Sequence, residues 1–239
     1  MFNRNQGYAV ESASSFISKV YGWMGVGLAL TAGVAYWVAS TPEVFKAIVM
    51  SPLLFVIVLA QFGVVLFLSA RIKQMDYATA VVCFLAYSLL TGLTLSVIFQ
   101  LYTSESIALT FAITAGMFAS MALYGHFTSA DLSSLGSYLT MALFGLMISL
   151  LVNMWFKSPA ADYYISLFGI AIFTLLTAYD VYILRKFSES EGMLDTHLRN
   201  KVAIYGALKL YLDFINLFLY LLKFFGKKET INVFLLLKA

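Results

Sequence analysis

Three ionisable residues lie within apolar stretches of the chain, where they could do chemistry: Asp180, Lys209 and Asp213. A charge at the centre of a bilayer costs about 2.5–3.5 kcal/mol on insertion scales, so such residues usually face the interior of a helix bundle and carry function. Two carboxylates in a low-dielectric bundle cannot both ionise cheaply, so they would titrate as a unit near physiological pH. When ionised, the pair supplies hard oxygen ligands suited to calcium. The sequence therefore predicts a proton-sensing pair, Asp180 and Asp213, that can bind calcium transiently.

Neighbouring cations allow a purely structural interpretation of the same residues. Lys209 stands four residues before Asp213 and could neutralise it, and Asp180 could pair with Arg185 one turn later. Arg71 ends an apolar stretch on the same predicted side and has a side chain long enough to reach inward. The structural interpretation explains poorly why a carboxylate is kept at the middle of an apolar stretch.

The composition identifies the solvent in which these residues act. Residues of the AVILMFWYC set make up 62% of the 239 residues, against roughly 45–50% apolar residues in globular proteins. Only 11% are charged, so the apolar excess must face lipid. A net charge of +3 without a basic run excludes nucleic-acid binding on electrostatic grounds. A single cysteine, Cys83, excludes an intrachain disulfide or a zinc cluster, and no cofactor is expected.

Seven stretches are long and apolar enough to cross a bilayer, which needs about 20 residues in a helix. Continuous apolarity argues against β-barrel strands, which alternate apolar and polar residues. The first 19 residues are polar, so the first stretch is expected to be a retained span rather than a secretory signal. The prediction is an all-α polytopic membrane protein with one domain over residues 1–239. Its seven predicted spans are 20–39, 48–70, 77–102, 106–125, 137–156, 163–184 and 202–222.

The distribution of lysine and arginine predicts the orientation of the chain. With the amino terminus inside, the outer loops hold only Lys46 and Lys157, and four lysines after the last span also fall outside. The inner side collects eight cationic residues: Arg4, Lys19, Arg71, Lys73, Arg185, Lys186, Arg199 and Lys201. The sequence therefore predicts a cytoplasmic amino terminus. The final residues, TINVFLLLKA, could lie along the membrane surface.

Polar residues of the seventh span recur every three or four positions, which places them on one helix face. This stripe predicts that the span borders an interior cavity and that four residues beside Asp213 line or tune a pore: Gly206, Lys209, Asn216 and Tyr220. Gln61 and Asn153, in other spans, are expected to form hydrogen bonds between helices.

Two segments carry a recognisable pattern: residues 175–180 read LLTAYD and residues 206–218 read GALKLYLDFINLF. With DLSSLG at residues 131–136 and GLMISLLVN at residues 145–153, they resemble the Bax inhibitor family, the transmembrane Bax inhibitor motif proteins, in its bacterial branch. The resemblance covers nearly the whole chain. It implies a seven-helix fold with the seventh helix central in the bundle, and a location in the bacterial inner membrane.

The resemblance also implies a function, a pH-sensitive calcium leak channel rather than an enzyme. By motif, the family's aspartate pair falls on Asp180 and Asp213, and its arginine near the end of the second helix falls on Arg71. In the predicted mechanism Arg71 bridges to the ionised or half-protonated pair and closes the inner mouth, and protonation releases this latch. Calcium, protons, lipid and a membrane-bound protease are the implied partners. The chain departs from the family pattern at Lys209, where a small or neutral residue is expected.

Other functional classes fit the sequence less well. An intramembrane aspartyl protease needs Gly-x-Gly before its second aspartate, but residues 210–213 read LYLD and no Pro-Ala-Leu follows. Both histidines, His126 and His197, fall at or beyond span ends, which argues against a serine-type intramembrane protease. A non-conducting scaffold, a regulator of membrane protein quality control and a proton-coupled transporter remain as alternatives.

Overall fold

The computed structural model describes residues 4–72, 74–190 and 196–229, with the side chains of 4–14, 190, 196 and 197 left aside. That description leaves out three parts of the chain on which predictions fell: Lys73, residues 191–195 of the charged loop before the last span, and the final residues TINVFLLLKA. The described chain is helical and carries no named strand. Its helices are α1 Arg4–Ala39, α2 Pro42–Val49, α3 Leu53–Arg71, α4 Tyr77–Leu95, α5 Ile98–Leu101, α6 Ser104–Phe127, α7 Leu135–Phe156, α8 Pro159–Ser190 and α9 Thr196–Phe225.

Seven of these segments are long and apolar enough to cross a membrane, which confirms the predicted all-α polytopic fold. They are Ser15–Ala39, Leu53–Arg71, Tyr77–Leu101, Ser104–Phe127, Leu135–Phe156, Pro159–Glu189 and Leu198–Phe225. Large apolar side chains on their outer faces, such as Phe62 and Trp155, stay exposed in the bundle. Because lipid is as apolar as these side chains, their exposure carries no hydrophobic penalty in a membrane.

Two predicted spans differ from the observed helices. The apolar window 48–70 contains the end of the short helix α2 and a break at Ser51–Pro52 before α3 begins. Pro52 fixes its own backbone and lacks an N–H, so it favours a helix start over a helix interior. The window 77–102 is 26 residues long, more than one membrane crossing needs. Its helix α4 ends at Leu95, and α5 follows after a turn at Ser96–Val97.

The seventh span is the most buried one. Within the 18-residue apolar window that defines each span, 61% of the residues are buried inside the protein in α9, against 11% in α3 and in α7. Helix α9 packs against α1, α4, α6 and α8, whereas α7 packs on α8, and α3 packs on α4 and α2. Polar side chains are tolerated where they face other helices but are costly where they face lipid. Helices α8 and α9 are therefore suited to hold charges. That all six other spans surround α9 stays a prediction.

A close contact fixes α8 against α6. A Cβ atom at Gly125 of α6 would overlap the backbone carbonyl of Ala178, so only glycine permits this approach. Ala178 and Tyr182 face α6 and the α6–α7 loop, while Asp180 lies about 200° around the helix from Ala178 at 100° per residue. Holding one face of α8 against α6 therefore turns Asp180 toward α9.

Candidate functional site

Asp180 of α8 and Asp213 of α9 are both buried, with exposed fractions of 4% and 5%. Each carboxylate lies within electrostatic range of the other and of Lys209. Among the described residues, Oδ2 of Asp213 has no hydrogen-bond partner. A buried carboxylate oxygen without a partner is costly, and it marks a place where a proton, a water molecule or a cation would be stabilised.

Lys209 contacts Asp180 rather than the aspartate on its own helix. Its Nζ donates to Oδ1 of Asp180 at 2.8 Å, which joins α9 to α8 by an ion pair. The side chain of Asp180 is 6% exposed and that of Lys209 is 36% exposed. Since an ammonium group facing hydrocarbon would be unfavourable, the open side of Lys209 fits a polar opening better than lipid. The site thus combines two buried carboxylates with one partly accessible cation.

Arg71, the predicted latch, ends α3 as an exposed residue. Its Nη1 donates to Oε1 of Gln74 at 2.8 Å, three residues later. The described structure therefore brings together Asp180, Asp213 and Lys209. Arg71 does not join them, because its side chain bonds to Gln74, three residues later in the chain.

The other residues of the predicted polar stripe make different contacts. Nδ2 of Asn216 donates to the backbone oxygen of Leu212 at 2.8 Å, within its own helix. The ring of Tyr220 stacks on Phe173 of α8 with centroids 5.8 Å apart. A Cβ at Gly206 would press on the Leu184 side chain, so this position serves the packing of α9 on α8. Their predicted role in a pore stays a prediction.

The segment Asp131–Gly136, singled out as a motif, packs against the carboxyl-terminal half of α8. Asp131 Oδ1 accepts a hydrogen bond from the Tyr182 hydroxyl at 2.7 Å and another from Ser133 N at 3.0 Å. These bonds hold the pKa of the Asp131 carboxyl well below its usual range. Leu132 is buried in a cluster with Ala178 and Tyr182. The motif therefore positions the loop, and nothing in its sequence pattern had assigned that role.

Arg185 also serves this loop contact. Its Nη1 donates to the backbone oxygen atoms of His126 at 2.6 Å and Thr128 at 3.1 Å, at the carboxyl end of α6. Its Nε lies 3.6 Å from Glu189. Arginine is suited to unpaired carbonyl groups at a helix end. The local pairing of Asp180 with Arg185, allowed by the sequence, is replaced by the contact with Lys209.

A second polar cluster lies on the opposite face of α9. Thr31 Oγ1 donates to the Ser88 carbonyl at 2.9 Å and lies 2.6 Å from the Tyr211 hydroxyl. Because the only hydroxyl proton of Thr31 goes to that carbonyl, Tyr211 must be the donor to Thr31. Gln61 donates to Thr91 Oγ1 at 3.1 Å, a hydrogen bond between α3 and α4 as expected for that residue. Tyr211 lies within LYLDFIN, yet the sequence analysis had singled out only Asp213 and Asn216 in that segment.

Another ion pair joins the amino end of α8 to the carboxyl end of α9. Lys223 Nζ of α9 donates to Asp162 Oδ1 of α8 at 2.8 Å. Asn153, which is 8% exposed, donates to the same oxygen at 2.6 Å, and its own Oδ1 accepts from Ser158 N. Asn153 thus bonds between helices as expected, and it joins the ends of α7 and α8.

No cluster of three or more His, Cys, Asp or Glu side chains that could hold a metal occurs in the part of the chain that the structure describes. Two carboxylates are too few ligands for a resident calcium ion, which takes six to eight oxygen atoms. The pair is suited to brief contact with a passing cation.

Comparisons with known proteins agree with this architecture. The chain is 47% identical over 221 residues to an uncharacterized protein of Borreliella burgdorferi, covering 91% of this chain and 94% of that protein. It is 45% identical over 216 residues to the inner membrane protein YbhL of Escherichia coli, covering 90% and 92%. It is 37% identical over 219 residues to the protein RP147 of Rickettsia prowazekii, covering 92% of each.

The family described as inhibitor of apoptosis-promoting Bax1 matches residues 13–230, which include both aspartates and the segments that carried the resemblance. A match over almost all of the chain, together with seven membrane spans, confirms that resemblance. This multi-pass membrane protein belongs to the Bax inhibitor family.

Proposed function

We propose that this protein is a pH-sensitive calcium leak channel of the bacterial inner membrane, with its amino terminus in the cytoplasm and Asp180 and Asp213 as its proton sensor. The observation that carries the proposal is the buried Oδ2 of Asp213, which has no hydrogen-bond partner among the described residues and lies in electrostatic range of Asp180. A site of this kind changes its charge by one when a proton binds, within a span that otherwise tolerates little charge.

Counting charges explains why a proton matters here. With Lys209 protonated and both carboxylates ionised, the site carries a net charge of −1. One proton on the pair makes the site neutral, which is the cheaper state in a low dielectric. A second proton leaves the ammonium of Lys209 without an anionic partner. The charge of the site therefore passes from −1 through zero to +1 as the pH falls.

The ion pair supplies a mechanical consequence. Lys209 and Asp180 join α9 to α8 at 2.8 Å, and this contact holds the inner half of the two helices together. Protonation of Asp180 removes the charge that Lys209 binds, so α9 loosens from α8. We propose that this loosening opens the inner mouth and lets calcium flow down its gradient, so that the leak increases as the pH falls.

The arginine latch belongs to the same proposal as a second closed arrangement. Arg71 bonds to Gln74 in this structure, and Lys209 holds the position beside Asp180 that the latch would take. Closure by Arg71 requires its guanidinium to leave Gln74 and replace that ammonium. Arg71→Ala would then alter the pH profile, whereas closure by Lys209 alone leaves it unchanged.

The remaining titratable groups around the pair are few. Of the helices packed on α9, α1, α4 and α6 carry no Asp, Glu, Lys or Arg over residues 20–39, 77–95 and 106–125, and α8 carries only Asp180 over residues 163–184. Tyr205 lies in electrostatic range of Lys209, and the buried phenol of Tyr211 bonds to Thr31 on the far face of α9. Within these spans the aspartates and Lys209 therefore dominate any pH response of the site between about pH 6 and pH 8.

Calcium flux into liposomes, followed from about pH 6 to about pH 8, tests the proposal. The parent protein should leak more at the lower pH. Asp180→Asn, which cannot ionise, should leak at all pH values, and Asp213→Asn should also lose the pH response. Asp162→Asn is the matched control, because it removes an aspartate with an equally short lysine contact at the other end of the span.

Three outcomes separate the proposal from its alternatives. If both variants keep the pH profile of the parent, the aspartates are not the sensor. Absence of flux in the parent at every pH would favour a scaffold or a regulator of a membrane-bound protease. Flux that follows an imposed proton gradient, rather than pH itself, would indicate a proton-coupled transporter.

A further inference from the structure

Lys209 occupies the place at Asp180 that a permeating cation would need. Its Nζ lies 2.8 Å from Asp180 Oδ1, and Asp180 is 6% exposed, so there is little open approach to that oxygen. The neighbouring Asp213 presents a buried oxygen without a partner among the described residues. The site therefore has one carboxylate already bound by a cation of the protein and one that is unsatisfied.

We propose that Lys209 is a tethered cation that competes with calcium for the Asp180–Asp213 pair and makes the resting site selective for a single positive charge. This inference rests on the proposed function for the identity of the competing ion. It concerns the selectivity of that site between a proton and calcium, and it assigns that selectivity to Lys209.

The charge of the site decides the selectivity. Two ionised carboxylates alone carry −2 and match a divalent cation. With Lys209 bound they carry −1, which one proton neutralises and which calcium would overcompensate. Calcium would also have to displace or repel an ammonium group held a few ångströms from its own binding position, and repulsion at such distances in a protein is strong.

Weak binding is what a leak needs. An ion that binds a buried carboxylate pair tightly cannot leave, since conduction requires binding strong enough for entry and weak enough for release. A tethered ammonium lowers the affinity for divalent cations without removing the carboxylates that sense protons.

The test measures calcium binding by the full chain in detergent at about pH 8, using equilibrium binding of radioactive calcium. Lys209→Met removes the charge but keeps an unbranched apolar side chain, and it should raise the affinity for calcium by at least about tenfold. Lys209→Arg keeps the charge and should bind calcium as weakly as the parent. If Met prevents folding, Lys209→Gln, which can still bond to Asp180, carries the same expectation.

Two controls assign any gain to this site. Lys223→Met removes a lysine with the same 2.8 Å contact and the same 36% exposure, but at the half-exposed Asp162, and it should leave calcium binding unchanged. The double variant Lys209→Met/Asp213→Asn should lose the gained affinity. Equal binding by Lys209→Met and the parent, or an equal gain in Lys223→Met, would overturn the inference.

The two proposals can fail separately, because calcium binding tests the role of Lys209 and calcium flux tests the proposed function. A parent that leaks calcium, combined with a Lys209→Met variant that binds no better, would remove the tethered cation and leave the proposed function standing. A gain in binding that depends on Asp213, in a protein that passes no calcium at any pH, would remove the proposed function and leave the competition between Lys209 and calcium.

Discussion

Two lysine–aspartate pairs join α8 and α9, one near the middle of α9 and one near its carboxyl end. Lys209–Asp180 and Lys223–Asp162 have the same Nζ–Oδ1 distance of 2.8 Å, and both lysine side chains are 36% exposed. The aspartates differ, because Asp180 is 6% exposed and Asp162 is 46% exposed. The two acids are 18 positions apart, which corresponds to about 27 Å along α8. The two ion pairs therefore have the same geometry, but the aspartate is buried in one and exposed in the other.

The difference shows that the distance between two charged atoms does not by itself decide what a pair does. Water around Asp162 can replace a lost lysine, so this pair is worth little. Asp180 has no such replacement, and removal of its partner leaves a charge in a low dielectric. Only the buried pair can therefore convert the loss of a charge into movement between helices.

The largest expected effect is on stability when Lys209 is replaced. Lys209→Met should lower the free energy of unfolding by about 3–5 kcal/mol near neutral pH, the usual range for a buried pair that loses one partner. The loss should shrink at lower pH, because a proton can neutralise the carboxylate that the ammonium leaves behind. Denaturant unfolding of the purified protein in detergent measures both quantities.

Lys223→Met is the companion variant in the same experiment. It should change the free energy of unfolding by at most about 1 kcal/mol, as for exposed ion pairs. Equal losses of unfolding free energy in Lys209→Met and Lys223→Met would mean that burial of the aspartate does not decide the strength of the two ion pairs. The comparison would then fail.

A smaller effect is expected beside the Lys223–Asp162 pair, from Asn153 rather than from the lysine. Asn153 is 8% exposed, donates to Asp162 at 2.6 Å and accepts from Ser158 N at 3.0 Å. Asn153→Ala should cost about 1–3 kcal/mol, because it removes two hydrogen bonds worth about 0.5–1.5 kcal/mol each. The same denaturant titration, compared with Lys223→Met, tests whether the buried Asn153 amide contributes more to the free energy of unfolding than the Lys223 ammonium does. A smaller loss for Asn153→Ala than for Lys223→Met would contradict this ranking.

The comparison also shows which features the sequence could predict. Long apolar windows are governed by the thickness of the bilayer, so they predicted the number of spans correctly. The family was indicated by the LLTAYD and GALKLYLDFINLF segments instead. The break at Ser96–Val97 carries no proline, glycine or charge that marks it, unlike the break at Ser51–Pro52. Excess length was the only available signal at that position, since 26 residues exceed one crossing.

The contact of Lys209 differs from the one that its spacing in the sequence favoured. Spacing along α9 allowed Lys209 to neutralise Asp213 four residues later, yet Lys209 bonds to Asp180, which lies 29 residues before it in the chain. Contacts between helices depend on how the helices are rotated, and that rotation is set by packing such as Gly125 against Ala178. Side-chain spacing within one helix contains no information on such packing.

The smallest effect is expected at a third carboxylate, Asp131, which extends the comparison to the loop between α6 and α7. The Tyr182 hydroxyl and Ser133 N hold the pKa of Asp131 well below its usual range. A carboxyl group with a lowered pKa contributes stability above its unfolded-state value of about 3.9, and loses it as the pH falls through the folded-state value. Between about pH 6 and pH 8 its charge is constant.

Tyr182→Phe removes only the hydroxyl that bonds to Asp131, so it should weaken the protein slightly at neutral pH and flatten the acid part of its stability profile. Unfolding midpoints measured from about pH 3 to about pH 7 would show this change. The calcium flux profile between about pH 6 and pH 8 should keep its shape, since Asp131 does not titrate there. A displaced flux profile would mean that the loop contact contributes to the proton response, and that Asp180 and Asp213 do not respond to protons alone.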